Sequence, residues 1–143
     1  MKEITNEWLH AAKDDLKAAK TLLSDTSLTN LVAFHAQQCI EKSFKALAEE
    51  NSIAIPKTHD LIRLHQLIKG LFADIDMEIL YNVNELYIDA RYPGEMGLMP
   101  NGKPSCTEAE IFVDFSALIL FQIEGTIIEF AQGPQPDNLF EPQ

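Results

Sequence analysis

The sequence predicts an all-α fold, a five-helix antiparallel up-and-down bundle, on three observations. Apolar residues recur at a period of about 3.6 in five separate segments, no segment shows the strict alternation of a half-buried strand, and most connections are short. With 143 residues, 46% of them apolar, the chain lies in the size range where one core is the usual solution. A single domain is therefore expected over residues 1–131, followed by a flexible tail over 132–143 that carries three prolines and no periodicity.

The first helix sets Ile4, Trp8, Ala12, Ala19 and Leu22/Leu23 on one side and Lys13, Asp14, Lys17 and Lys20 on the other. Ser24-Asp25-Thr26-Ser27 punctuates it. A second helix, running to about Glu50, carries the stripe Ala33, Ala36, Ile40, Phe44 and Leu47, whose small alanines allow close helix approach. The third is announced by Thr58 as N-cap behind Pro56, with Asp60 in the first turn, where the helix dipole favours an acid. Leu61, Leu64, Ile68 and Leu71 then repeat on one face.

Asp74 or Asp76 caps a fourth helix bearing Met77, Leu80, Tyr81, Asn84, Tyr87 and Ile88, which Pro93-Gly94 stops. A Gly- and Pro-rich loop leads from there to Cys106. The fifth helix opens on a capping box, Thr107 to Glu110. Its apolar residues, from Ile111 to Phe130, wrap most of the circumference, more than one core-facing stripe requires. A second buried contact follows, most simply with another copy of this chain, so a homodimer through the last helix is expected.

Several function classes are set aside by composition. The start, MKEITNEWLHAAKDD, carries charges where a signal peptide needs an apolar core, and the run from Ile111 to Ala131 is interrupted by Asp114, Gln122 and Glu124. A cytoplasmic protein with no membrane span is expected. Cys39 and Cys106 lie far apart and read as free thiols. No histidine–carboxylate pair has metal-site spacing, and no Gly-rich phosphate loop or nucleophile elbow is present, so neither metal nor cofactor is expected. The net charge of −11 falls in the second half: the first 73 residues carry nine bases and nine acids, the remainder two bases and thirteen acids. Such a surface repels nucleic-acid phosphates except at a local basic patch.

One such patch is legible. His35, Gln38, Lys42 and Lys45 recur at i, i+3, i+7 and i+10, sharing the face of the second helix opposite its apolar stripe. Lysine supplies charge, and glutamine and histidine supply directional hydrogen bonds, so the row suits phosphate or a nucleobase edge; it equally suits a solvated helix face. His59 and Asp60 are adjacent and point about 100° apart on a helix, which favours capping over a catalytic pair. Arg91, the last arginine, closes the fourth helix, where a guanidinium can meet helix carbonyls or phosphate.

The segment FHAQQCIEKSFKALAEE (residues 34–50), then PKTHDL (56–61), then DARYP (89–93) resembles, in that order, the HEPN domain, a helical module named for nucleotide binding in higher eukaryotes and prokaryotes. The resemblance spans roughly residues 5–131. It implies the helical-bundle fold, nucleotide- or RNA-related binding, and companionship with a minimal nucleotidyltransferase in prokaryotic two-protein, toxin–antitoxin-like modules. Nuclease members of the group carry an arginine followed four to six residues later by histidine, forming an RNA-cleaving site at a dimer interface. Here Arg91 is followed by Tyr92-Pro93-Gly94-Glu95-Met96-Gly97-Leu98, and Arg63 meets His65 only two residues on. Two readings follow: a non-catalytic nucleotide- or partner-binding module using His35, Gln38, Lys42, Lys45, His59 and Arg91, or a metal-independent ribonuclease toxin in which His59 or His35 replaces the motif histidine.

Overall fold

A computed structural model describes residues 1–91 and 103–132, with side chains for 1–86 and 103–129. The described residues form α1 (Glu3–Leu22), a 3-10 turn (Thr26–Leu28), α2 (Thr29–Glu50), α3 (Leu61–Ile68), α4 (Met77–Arg91) and α5 (Cys106–Gln132). Among them there is no strand. Of the expected Gly/Pro loop leading to Cys106, residues up to 102 lie outside the described residues, while Lys103 Nζ donates to the Ser27 carbonyl; of the expected tail over 132–143, Gln132 ends α5 and the rest lies outside the described residues.

The organising element is α2. Val32, Ala33, Ala36, Cys39, Ile40, Phe44, Ala46, Leu47 and Ala48 are all buried, so this helix meets neighbours on nearly every side rather than along one stripe. It packs against α1, α3, α4 and α5. Alanine supplies the room: its small side chain lets a neighbouring helix approach closely while keeping the highest helix propensity. Cys39 Sγ donates to the Ser116 carbonyl of α5 at 3.8 Å, and burial pushes its thiol up to about 12.

In two helices the buried set keeps part of the expected stripe, with Ala12 and Ala19 of α1 and Leu80 of α4 buried, and departs from it elsewhere. In α1 the buried positions are Thr5, Leu9, Ala12, Asp15 and Ala19, while Ile4 is exposed and Trp8 half-buried. In α4 Leu80 and Val83 are buried and Tyr81 is exposed; the side chains of Tyr87 and Ile88 lie outside the described residues. At Trp8/Leu9 and Leu80/Tyr81 two adjacent apolar positions are available, and the packing partner chooses between them.

The helix ends correct two expected caps. Asp60, not Thr58, is the N-cap of α3: its Oδ1 accepts from Ile62 N (3.0 Å) and Arg63 N (3.4 Å), while Thr58 Oγ1 accepts from Asp60 N. Asn84 of α4 clamps the same turn, its Oδ1 accepting from Leu61 N at 2.9 Å and its Nδ2 donating to Asp60 Oδ1 at 3.1 Å. The capping box of α5 is Ser105–Glu108, two residues earlier than Thr107–Glu110. Glu108 N donates to Ser105 Oγ (3.0 Å), and Ser105 N donates to Glu108 Oε1 (2.8 Å). Asp76 caps α4, as one of the two expected candidates.

α2 ends with Ser52 at φ 57°. Ile53 N donates to Ala48 O (2.9 Å) and Ser52 N to Glu49 O (3.0 Å), the double closure that usually employs glycine at this position. Lys2 covers the turn, its Nζ donating to Glu49 O and Ser52 Oγ and its backbone N to Glu50 Oε1. The chain start is thereby tied to the end of α2.

His65 of α3 packs between aromatic rings, 5.8 Å from Phe44 and 6.3 Å from Phe72. Desolvation first, and Lys69 second, hold its pKa below the ordinary imidazole value of 6.5. The folded state thus refuses a proton that the unfolded chain accepts below pH 6.5, and stability falls as pH drops from that value through the depressed native pKa. An NMR titration should place His65 below about 6.5. Replacing it with leucine should flatten the acid side of the stability profile, and an unchanged slope would remove His65 as its source.

Candidate functional site

The polar row on α2 exists, and three of its members, His35, Lys42 and Lys45, meet side chains of α1. Asp15, an acid at a buried register position of α1, lies between two of its members. His35 Nδ1 is 2.9 Å from Asp15 Oδ1, and Lys42 Nζ is 2.6 Å from Asp15 Oδ2. Because an ionised carboxylate only accepts, the His35 proton on this side must sit on Nδ1.

One turn further along, a second carboxylate gathers the rest. Glu41 is buried, at 3% exposure, and Lys45 Nζ donates to its Oε2 at 2.8 Å across an i, i+4 step. The same ammonium stands 5.4 Å from the centroid of Trp8 in α1, within cation–π range. His59 Nδ1 meets both Glu41 oxygens, at 3.0 and 3.1 Å. Gln37, fully buried, donates Nε2 to the His59 carbonyl (3.0 Å) and to Glu41 Oε1 (3.3 Å), and its Oε1 accepts from Gln38 Nε2 (2.7 Å). A carboxylate taken out of water requires several donors, and Glu41 has three residues supplying them.

The six candidates therefore divide. His35 and Lys42 meet on Asp15. Lys45 and His59 meet on Glu41, and Gln38 joins them through Gln37. Arg91 ends α4 with its side chain outside the described residues. His59 pairs with Glu41 rather than with neighbouring Asp60, which is occupied in capping. Among the described residues no group of three or more His, Cys, Asp or Glu side chains is placed to hold a metal ion.

Sequence reasoning missed Asp15, Glu41, Gln37 and Trp8 as members of the site. For Asp15 a signal was present, an acid where the 5, 9, 12, 19 spacing turns inward. What the cluster offers chemically is an imidazole oriented by a carboxylate, with a lysine already neutralised by that carboxylate. That is a positioned acid–base group of the usual kind, with 48% of the His59 side chain exposed.

The other notable surface is apolar. On α5, Phe112, Val113, Phe115, Ile119, Leu120, Ile123 and Ile127 are buried, while Ile111, Leu118, Ile128 and above all Phe121, at 76%, remain exposed. The helix is long and apolar enough to cross a membrane by length and composition over Cys106–Glu129, a test that core helices of folded domains also pass. Its inner side here belongs to the core with α2. Gly125 lies within the exposed side. A β-carbon there would meet nothing within 4 Å, although a mid-helix glycine costs about 1 kcal/mol relative to alanine.

Comparison with known proteins gives a consistent result. The family model for the HEPN domain matches residues 5–120. The structure is similar to the crystal structure of TT1696 from Thermus thermophilus, with a TM-score of 0.74 at 24% identity, covering 87% of this chain and 99% of that one. It is also similar to ST0689, an archaeal HEPN homologue, with a TM-score of 0.62 at 24% identity over 89% of this chain and 99% of that one. No curated protein matches the chain. With a family match over most of its length, this chain belongs to the HEPN domain family.

Proposed function

We propose that this chain is a non-catalytic, partner-binding HEPN module that self-associates through α5. The observation that carries the reading is the row Ile111, Leu118, Phe121 and Ile128, exposed on one side of a helix whose other side is core. Exposed apolar side chains aligned over several turns are the usual mark of a protein contact. By contrast, five of the six polar candidates already spend hydrogen bonds inside the domain, so a phosphate on Lys42 or Lys45 has to compete with Asp15 and Glu41. A nucleotide ligand and a nucleotidyltransferase companion stay within the proposal on the strength of the family resemblance.

Light scattering at micromolar concentration should return twice the chain mass of 16.1 kDa. Phe121→Glu should return the monomer with helical content unchanged, since that side chain is outside the core. A monomeric wild-type protein would sink the self-association.

The Glu41–His59 pair is the specific observation favouring a second reading, a metal-independent ribonuclease with His59 as base. The primary reading expects no RNA cleavage by the isolated chain, because no histidine follows Arg91 at the spacing of the nuclease motif. Metal-independent cleavage lost in both His59→Ala and Arg91→Ala would reverse the order of the two.

A further inference from the structure

We infer that the outward side of α1 around Trp8 is a docking surface for a basic amphipathic helix of another protein. An apolar side chain of that helix fills the recess between Ile4, Trp8 and Ala11, and a lysine or arginine one turn away meets Glu7. This rests on the partner-binding part of the reading above and is independent of self-association through α5.

Shape gives the first argument. An open recess of about 250 Å³ on α1 is lined by Ile4, Glu7, Trp8 and Ala11. Ile4 is 47% exposed, and Trp8 and Ala11 are half-buried. The apolar line continues at seven-residue spacing to Ala18, also half-buried, so Ile4, Ala11 and Ala18 lie nearly in a row along the helix. At 1.5 Å per residue that row is about 21 Å long, four turns of a helix laid beside it. Alanine at two of the three places lets such a helix come close, and Trp8 gives it a large ring to pack on.

Charge selects the partner. Glu7 is exposed on the rim of the recess and makes no ion pair among the described residues. Its neighbours three and four residues away are Glu3, Ile4, His10 and Ala11, none of them lysine or arginine. Glu3 carries the same sign, and like charges at that spacing weaken a helix. Glu7 also stands beyond the first turn, outside the region where the helix dipole favours an acid. Within the chain this carboxylate stabilises nothing; a cation brought from outside gives it a role.

Asp14, two turns on, extends the same edge, exposed and again without an ion pair among the described residues. On the α2 side of the recess the charges are already matched, Lys45 by Glu41 and Lys42 by Asp15. The charge left over beside the recess is therefore negative. A second copy of this chain in two-fold contact would bring two such acidic edges into one seam, which argues for a different protein as the occupant.

Trp8 is the sole tryptophan, so its fluorescence reports occupancy of the recess directly. The test titrates the full chain with tryptophan-free peptides about four helical turns long: leucine and arginine at amphipathic spacing, leucine and glutamate at the same spacing, and the leucine–arginine composition in scrambled order. Only the ordered basic peptide should shift Trp8 emission saturably, at micromolar concentration. Glu7→Gln with Asp14→Asn should weaken its binding about tenfold. Ala11→Arg, which sets bulk and positive charge on the recess, should abolish binding, and both variants should keep wild-type helicity. Replacing Glu110 and Glu129, exposed acids of α5, by glutamine should change nothing, which separates docking on α1 from general attraction to a chain of net charge −11.

Equal binding of the scrambled or the acidic peptide overturns the proposal. Binding that leaves Trp8 emission unmoved, or that ignores the α1 replacements, overturns this surface while keeping a chain that binds partners elsewhere. No binding of any peptide fails both. Light scattering of Ala11→Arg should match the wild type, and a lower mass would show a second copy on α1 instead.

Discussion

Replacing Glu41 by leucine is expected to destabilise the domain by about 3 to 5 kcal/mol, the usual cost of breaking a buried ion pair from one side. The change leaves the Lys45 ammonium, 11% exposed, without its carboxylate. It also removes the acceptor that His59 Nδ1 and Gln37 Nε2 share. Urea unfolding of wild type and variant measures the loss directly. The double replacement Glu41→Leu with Lys45→Met should recover more than half of it, because substituting a whole buried pair by apolar groups of similar volume is often close to neutral. A single-variant loss below about 1 kcal/mol is the range of an exposed pair and would contradict the burial. The same variant bears on function: with Glu41 gone, His59 loses the carboxylate that orients it, so any activity depending on that imidazole should fall in step.

Phe44→Ala is the second large effect, expected at about 3 to 5 kcal/mol for an aromatic removed from a packed core. Phe44 is 1% exposed, and its ring packs on His65 and on Phe72, at 6.1 Å for the latter. The cavity therefore opens beside α3, the shortest of the helices. A second readout accompanies the stability loss: with less apolar material around it, His65 should titrate closer to its ordinary value. Stability falling without any movement of His65 would show that the ring of Phe72 alone keeps the imidazole dry.

The five helices and their order were legible because the two that dominate the core advertise themselves. α2 has alanines at 33, 36, 46 and 48 between large apolar residues, and α5 is apolar around most of its circumference. The boundaries were less so, since Thr58, Asp60, Ser105 and Thr107 are all competent N-caps and only the backbone decides which one is used. The polar site was legible in membership but not in environment. A row of His35, Gln38, Lys42 and Lys45 looks solvated when its helix is considered alone. His35, Lys42 and Lys45 gain partners only when α1 brings Asp15 and Trp8 across, a pairing between residues twenty or more positions apart, which local periodicity does not encode. The apolar surplus of α5 was visible, by contrast, because it violates a one-sided pattern within a single segment.

Cys39 has a practical consequence. Its sulfur is enclosed between α2 and α5, and its thiol is pushed up to about 12, so the thiolate that reacts with disulfide or maleimide reagents is essentially unpopulated at neutral pH while the domain is closed. Once the two helices separate, the same group regains an ordinary thiol's reactivity. In a Cys106→Ser chain, the rate of labelling at Cys39 is thus a built-in clock for opening, and its dependence on urea separates local breathing from global unfolding without any added probe.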